Sequence, residues 1–167
     1  MNTSKRKYVI FVVLSLLTVI LDQWTKSLAR HSLAPLGHRG RVVIEGFFNL
    51  RYSENTGVAF GMLQNMPGLI LTLVALGAFV LVLSYLRKTP DDHVAIHVAL
   101  GLVGGGAVGN LVDRLMFGRV TDFIVWHYKG HEWPAFNIAD AALVVGVVVM
   151  ALDMFRPNRA DAPAREK

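Results

Sequence analysis

Four stretches of the chain are too apolar and too long to be one-sided surfaces of a soluble domain. They cover about 8–25, 66–86, 94–112 and 138–155, each close to the roughly 20 residues that a helix needs to cross the hydrocarbon layer. Inside that layer each backbone N–H and C=O must be satisfied within its own segment, so such runs are read as helices. The first run has an apolar core at 8–21 and reaches spanning length only by continuing through Asp22, Trp24 and Thr25. The second carries Pro67 in its first turn, where a missing N–H costs little. The third is interrupted only by His97 and Asn110, and the fourth carries Asp140 near its start and Asp153 near its end. The expected fold is a mainly α membrane protein with four transmembrane helices. One integral membrane domain, 1–155, is followed by a polar cytoplasmic tail at 156–167 that contains Pro157 and Pro163.

Composition narrows the chemistry. Hydrophobic residues make up 53% of the chain and charged residues 17%, against about 25% charged in an ordinary soluble domain. There is no cysteine, which excludes a disulfide scaffold, a thiolate metal site and a cysteine nucleophile. A chain this apolar is not intrinsically disordered. The net charge of +5 raises the question of nucleic acid. Yet the charges sit at the ends and between the apolar runs, with no basic stripe carrying interleaved aromatics, so no nucleic-acid partner is expected. The first run has a competing reading as a cleavable signal peptide, because Lys5, Arg6 and Lys7 precede the core and Ser27, Leu28 and Ala29 follow it. Asp22 and Lys26 between core and small residues, and the three further runs, favour a retained helix.

Lysine and arginine give the orientation. With both termini cytoplasmic, Lys5, Arg6, Lys7, Arg87, Lys88, Arg156, Arg159, Arg165 and Lys167 lie inside, in short segments beside helix ends. Lys26, Arg30, Arg39, Arg41, Arg51, Arg114, Arg119 and Lys129 lie outside, spread over two long loops at about 26–65 and 113–137. The density of positive charge therefore favours both ends inside. Within the outer loops, 41–52 (RVVIEGFFNLRY) and 119–128 (RVTDFIVWHY) are rich in β-formers and flanked by glycine. They read as strands of a small extracytoplasmic sheet. The basic, glycine-bearing segment 36–41 is assigned no role.

Gly101, Gly105 and Gly109 recur every four residues on one face of the third run, beside Gly104, Gly106 and Ala107. In lipid, small residues at this spacing let helices approach closely. Ala142 and Gly146 offer a facing groove on the fourth run. Homodimerisation and a gating hinge are the competing readings of the same stripe.

Polar residues that the bilayer should exclude carry the functional signal, because a charge at the centre of a span costs at least about 2.5–3.5 kcal/mol. Asp22 and Lys26, four apart, close the first run on one face and can pair. Asn110, Asp113 and Arg114 end the third run at that same outer level, and Asn137 and Asp140 begin the fourth. Asp122 sits in the strand-like segment between them, so the topology brings two carboxylates, Asp122 and Asp140, to one membrane face. Duller readings stand beside this one. Asn137 and Asp140 fit a helix N-cap with an acid in its first turn; Asp122 fits a rim carboxylate facing Arg119 or Lys129; Asp113 and Arg114 fit an interfacial pair. His93 with His97, and His127 with His131, have a spacing that can hold a metal, but no third ligand follows and no metal or cofactor is expected. A carboxylate pair sharing one proton offers a base and an acid: one draws a proton from water attacking a carbonyl, the other protonates the carbonyl oxygen. A serine–lysine alternative would need Lys26 beside Ser27 or Ser53, and Ser27, next to it in sequence, would point away on a helix.

Four short signatures then appear in order: LDQWTK at 21–26, NTGVAF at 55–60, GNLVDR at 109–114 with GRVTDFI at 118–124, and PAFNIAD at 134–140. With them the chain resembles the lipoprotein signal peptidases (signal peptidase II), bacterial inner-membrane aspartyl proteases, over about 8–155. The resemblance implies that Asp122 and Asp140 are a catalytic dyad. It implies that Asn55, Asn110, Arg114 and Asn137 hydrogen-bond the dyad, the substrate backbone or each other, and that Asp22 and Lys26 support the site. The implied substrate and partner is a prolipoprotein whose lipobox cysteine carries diacylglycerol, cut just before that cysteine in the membrane by a monomer. Thr121 stands where an apolar residue is common and Ala141 where a serine often follows the second aspartate. A loop carrying Gly57 and Gly61 would be able to move over the helix ends. Two rival classes remain: a small transporter or proton channel lined by Asp22, Lys26, Asp122 and Asp140, and a noncatalytic adaptor using the glycine stripe. The first predicts acids near the bilayer midplane, whereas these cluster at one face.

Overall fold

A computed structural model describes residues 3–57 and 68–155. The tail at 156–167, the second half of the 55–60 signature and Gly61 lie outside the described residues. Four helices carry the chain: α1 (Thr3–Ser32), α2 (Gly68–Lys88), α3 (Val94–Phe117) and α4 (Ile138–Met154). A four-stranded antiparallel sheet, in the order β1 (Arg41–Ile44), β2 (Phe48–Asn55), β3 (Val120–Tyr128) and β4 (His131–Glu132), is built from the two long loops.

α1 and α3 run past the edges expected from hydropathy, whereas α4 ends within its expected run. α1 has 30 residues without an internal glycine or proline, and Pro35 opens the 3-10 segment Ala34–Arg39 that follows it. α1 therefore passes its apolar core and carries Asp22, Lys26 and Arg30 on the same rod. α3 continues to Phe117 and stops where Gly118 takes a left-handed conformation (φ 69°) and its N–H closes on Arg114 O at 3.0 Å. Among the described residues, two helices are long and apolar enough to cross a membrane by length and composition, α1 over Lys5–Ser32 and α3. α4 has 17 residues, slightly below the usual span.

The segment 41–52, read as one strand, is a hairpin. Gly46 (φ 71°) turns the chain between β1 and β2, a conformation that costs glycine little. β2 pairs with β3 on both sides of an irregularity between Leu50 and Ser53, and in the second stretch Ser53 faces Asp122. Phe123 and Ile124 then hydrogen-bond the backbone of Phe136, which brings the segment before α4 alongside β3.

The glycine stripe of α3 faces α1, not α4 as expected. A Cβ at Gly101 would lie 2.9 Å from Leu14 Cβ, one at Gly105 2.6 Å from Thr18 Cβ, and one at Gly109 2.6 Å from an Asp22 carboxylate oxygen. α4 takes the neighbouring face: a Cβ at Gly106 would lie 2.5 Å from Ala139 O, and one at Gly146 2.7 Å from Ala99 O. Five glycines one, three and four residues apart necessarily line two faces of one helix, so α3 is the central rod gripped from both sides. Phe11, Val82, Leu86, Ile96 and Leu100 form one buried cluster among α1, α2 and α3; Ala29, Leu33 and Phe123 form a second beneath the sheet. The outward faces remain apolar, with Leu17, Leu81 and Leu152 all more than half exposed.

Candidate active site

Three chain segments converge where α1 and α3 approach their C-terminal ends and α4 begins. Asn137 caps α4: its Oδ1 accepts from Asp140 N at 2.9 Å, and Asp140 Oδ2 accepts from Asn137 N at 3.3 Å. The capping-box reading of these two residues is therefore correct, but it leaves both side chains with further work. Asn137 Nδ2 donates to Asp122 Oδ1 at 2.6 Å, to Asn110 Oδ1 at 3.2 Å and to Thr121 O at 3.3 Å. Asn110 Nδ2 donates to Asp140 Oδ1 at 2.8 Å. A single fully buried asparagine thus touches both carboxylates.

Asp122 is 2% exposed, so it is not a rim group, and Arg119 pairs with Glu54 instead (3.2 Å). Asp122 Oδ2 accepts from Asn55 Nδ2 at 3.1 Å, while Asn55 Oδ1 accepts from Gly57 N at 2.9 Å. Burial, then the neighbouring Asp140 carboxylate, pushes the Asp122 carboxyl up to about 7, against the opposing hydrogen bonds from Asn55 and Asn137 and the charge of Lys26. Asp122 forms one wall of an open cleft of about 290 Å³, lined also by Ser53, Asn55, Thr56, Pro134 and Ala135.

Behind the carboxylates lies a buried charge cluster. Lys26 and Asp22 are both completely buried and pair at 2.8 Å; Lys26 Nζ also donates to Asn110 Oδ1 at 2.9 Å and lies 3.5 Å from Asp113 Oδ2. Neither Ser27 nor Ser53 is among these partners, so the serine–lysine arrangement is absent among the described residues. Asp22 Oδ1 accepts from Ala139 N at 2.9 Å, satisfying an N–H at the start of α4. The competing reading of Asp113 and Arg114 as an interfacial pair does not hold. Adjacent helix positions point about 100° apart, and Asp113 turns inward to Lys26, Arg30 and the N–H of Thr121, whereas Arg114 NH2 donates to Gly57 O at 3.1 Å. His97 is buried with Nε2 3.1 Å from Pro90 O, and His127 Nε2 lies 3.0 Å from Asn49 Nδ2.

All nine singled-out residues, Asp22, Lys26, Asn55, Gly57, Asn110, Arg114, Asp122, Asn137 and Asp140, fall in this one network. Three more belong to it: Gln23 and Arg30, which were not singled out, and Asp113, which was noted at the end of the third run but given no role in the site. Gln23 Nε2 bridges Asp22 (3.1 Å), Gly109 O (3.0 Å) and Asp113 (3.1 Å). Asp113 is completely buried, and Arg30 NH1 donates to Thr121 Oγ1 at 2.9 Å. The last contact explains how a polar residue is accommodated at position 121. Gln23 and Asp113 lie inside two of the four signatures, and Arg30 lies one turn after Lys26.

The sequence pattern of the family described as Signal peptidase (SPase) II matches residues 14–156. The lipoprotein signal peptidase of Symbiobacterium thermophilum is 42% identical over 148 residues, 89% of this chain and 95% of its own length. That of Geobacter metallireducens is 41% identical over 160 residues, 93% of this chain and 96% of its own. A solved bacterial membrane enzyme superposes with a TM-score of 0.83 at 26% identity, covering 94% of each chain. A second superposes at 0.78 and 27% identity, over 87% of this chain and 92% of the other. The fold agrees with that of solved membrane enzymes, the four signatures meet in one buried polar network, and the sequence match spans nearly the whole chain: it belongs to the signal peptidase II family of membrane proteases.

Proposed function

We propose that the chain is an aspartic endopeptidase that removes signal peptides from diacylglyceryl-modified prolipoproteins by cleaving before the lipidated lipobox cysteine. The observation that carries this reading is the pairing of Asp122 and Asp140 through one asparagine, Asn137, at the edge of an open cleft. Asp140 accepts hydrogen bonds from Asn110 Nδ2 and Asn137 N, and we assign it the role of base. Asp122, with its carboxyl raised to about 7, suits the acid. Asp140 takes a proton from a water molecule as its oxygen adds to the scissile carbonyl carbon, and Asp122 gives its proton to the carbonyl oxygen. Collapse of the tetrahedral intermediate breaks the C–N bond: Asp122 takes back a proton from one hydroxyl as the carbonyl re-forms, and the proton held by Asp140 goes to the departing cysteine amine. Asn55 and Arg114, tied to Gly57, support the wall along which the substrate backbone lies.

α1 to α4 are read as four spans of one membrane domain, 1–155, with 156–167 a cytoplasmic tail. Both termini lie in the cytoplasm of a bacterium, and the sheet and dyad lie at the outer face of its inner membrane. The enzyme is read as a monomer. Purified Asp122→Asn and Asp140→Asn, each assayed on a diacylglyceryl-modified lipobox peptide, are expected to lose about 10²–10⁴-fold or more in kcat. A well-folded variant of either kind that cleaved at the wild-type rate would reject the dyad.

A further inference from the structure

We infer that Lys26 is a positioning residue for both aspartates although it touches neither: it fixes the amide of Asn110 toward Asp140 and, through Asp113, fixes the strand residue that precedes Asp122. This rests on the dyad reading and deepens it.

The argument begins with what an ammonium group can do. It has donors and no acceptor, so the side-chain atom of Asn110 that meets Lys26 Nζ at 2.9 Å must be the carbonyl oxygen. The same oxygen accepts from Asn137 Nδ2 at 3.2 Å. The amide nitrogen is thereby left pointing the other way, at Asp140 Oδ1, 2.8 Å distant. An amide flipped by half a turn has nearly the same shape, but it would set an NH2 group against the ammonium and an oxygen against the carboxylate. In a site where Lys26, Asp22 and Asp113 are completely buried, neither contact would be screened by water. The cation thus decides which end of Asn110 faces the reaction.

The second arm runs through α3 to the sheet. Asp113 Oδ2 lies 3.5 Å from Lys26 Nζ and accepts from Thr121 N at 2.8 Å. Thr121 is held at two further atoms, its carbonyl by Asn137 Nδ2 at 3.3 Å and its hydroxyl by Arg30 NH1 at 2.9 Å. The backbone one residue before Asp122 is therefore fixed from α1 and α3. A buried ion pair alone is weak evidence for stability, since desolvation offsets much of its attraction. Setting the direction of a hydrogen-bond chain is a role that an equally well-packed apolar side chain would not supply.

The test is a double-mutant cycle on the full-length protein in an Asp22→Asn background, where removing Lys26 leaves fewer unpaired buried charges. Lys26→Met, Asn110→Ala and their combination are compared with the Asp22→Asn reference, with folding checked by thermal melting in detergent. Lys26→Met is expected to lower kcat about 10²-fold, the scale of a misplaced reacting group, with KM changed by no more than about twofold. Adding Asn110→Ala to Lys26→Met should cost no more than about twofold further, because the two act in series. Losses that multiply in full, or a folded Lys26→Met variant within about twofold of the reference in kcat, would overturn the inference. Failure of the dyad reading is separate: it appears as turnover retained by Asp122→Asn or Asp140→Asn, measured in parallel.

Discussion

Asp122 carries a cost to the fold that follows from its place in β3. At 2% exposure its charged form loses most of its hydration, and Asp140 opposes it further, so the folded protein holds the proton up to about pH 7. An unfolded aspartate releases it near the ordinary value of about 3.9. The folded state therefore binds more protons between those limits, and the stability tied to this group is full below the lower value and lost as pH rises through the upper one. Asp122→Asn has no charge to bury. Its Tm in detergent is expected to exceed that of the wild type above pH 7 by on the order of a few °C. The difference should vanish toward pH 4; a parallel offset at all pH values would contradict the assignment. Asp122 and Asp140 were legible because charge is scarce in this chain and both fell at one level. The roles of Gln23, Arg30 and Asp113 were not. Their partners lie across helix and strand interfaces, as in Gln23 to Gly109 O and Asp113 to Thr121 N, and spacing along one helix reveals only neighbours on that helix.

At the level of elements, α3 decides whether the two halves of the site meet. It holds α1 along Gly101, Gly105 and Gly109 and α4 along Gly106, so Asp22 on α1 reaches the N–H of Ala139 at the start of α4. The periodicity of small residues was readable as close packing, but the partner helix was not, because a four-residue spacing fixes a face without saying what faces it. The hairpin at Gly46 was hidden for a different reason: β-formers on both sides of a single glycine look like one strand until the turn is seen. The grip of α3 can be tested by two glycine substitutions of opposite sign. At Gly106 a Cβ would lie 2.5 Å from the backbone oxygen of Ala139, which cannot give way without moving α4. Gly106→Ala is expected to destabilise by about 1–3 kcal/mol and to reduce turnover, since Asn137 and Asp140 move with α4. At Gly77 a Cβ would meet nothing within 4 Å, and Gly77→Ala should be neutral or stabilise by about 0.5–1 kcal/mol. Thermal melting and peptide cleavage on the two purified variants check both signs.

Over the whole molecule, polar chemistry is divided between two ends of an apolar bundle. One end gathers the sheet, the carboxylates and the Asp22–Lys26–Asp113 cluster. The other gathers the start of α1 and the α2–α3 turn, where Lys7 Nζ donates to Thr89 O at 3.0 Å and meets Asp91 at 3.1 Å. Arg87 and Lys88 close α2 at that same end, and cations there complement the helix C-terminus. If the lysine and arginine density reads the membrane correctly, the Lys7–Asp91 end faces the cytoplasm and the hairpin β1–β2 faces outward. The chain contains no cysteine, so single introduced cysteines report without background. Glu45→Cys, in the β1–β2 turn, and His131→Cys, in β4, are expected to react with a membrane-impermeant maleimide applied to right-side-out vesicles. Asp92→Cys, between α2 and α3, should react only after the vesicles are opened. All three positions lie outside the network around Asp122 and Asp140, so each variant should also keep wild-type cleavage, which confirms that the labelled molecules are folded. Labelling of Asp92→Cys in sealed vesicles, with the other two protected, would invert the topology; labelling of all three would mean that the bundle does not separate two compartments. The expected pattern places the cleft on the outer side of the membrane, where the proposed function requires it.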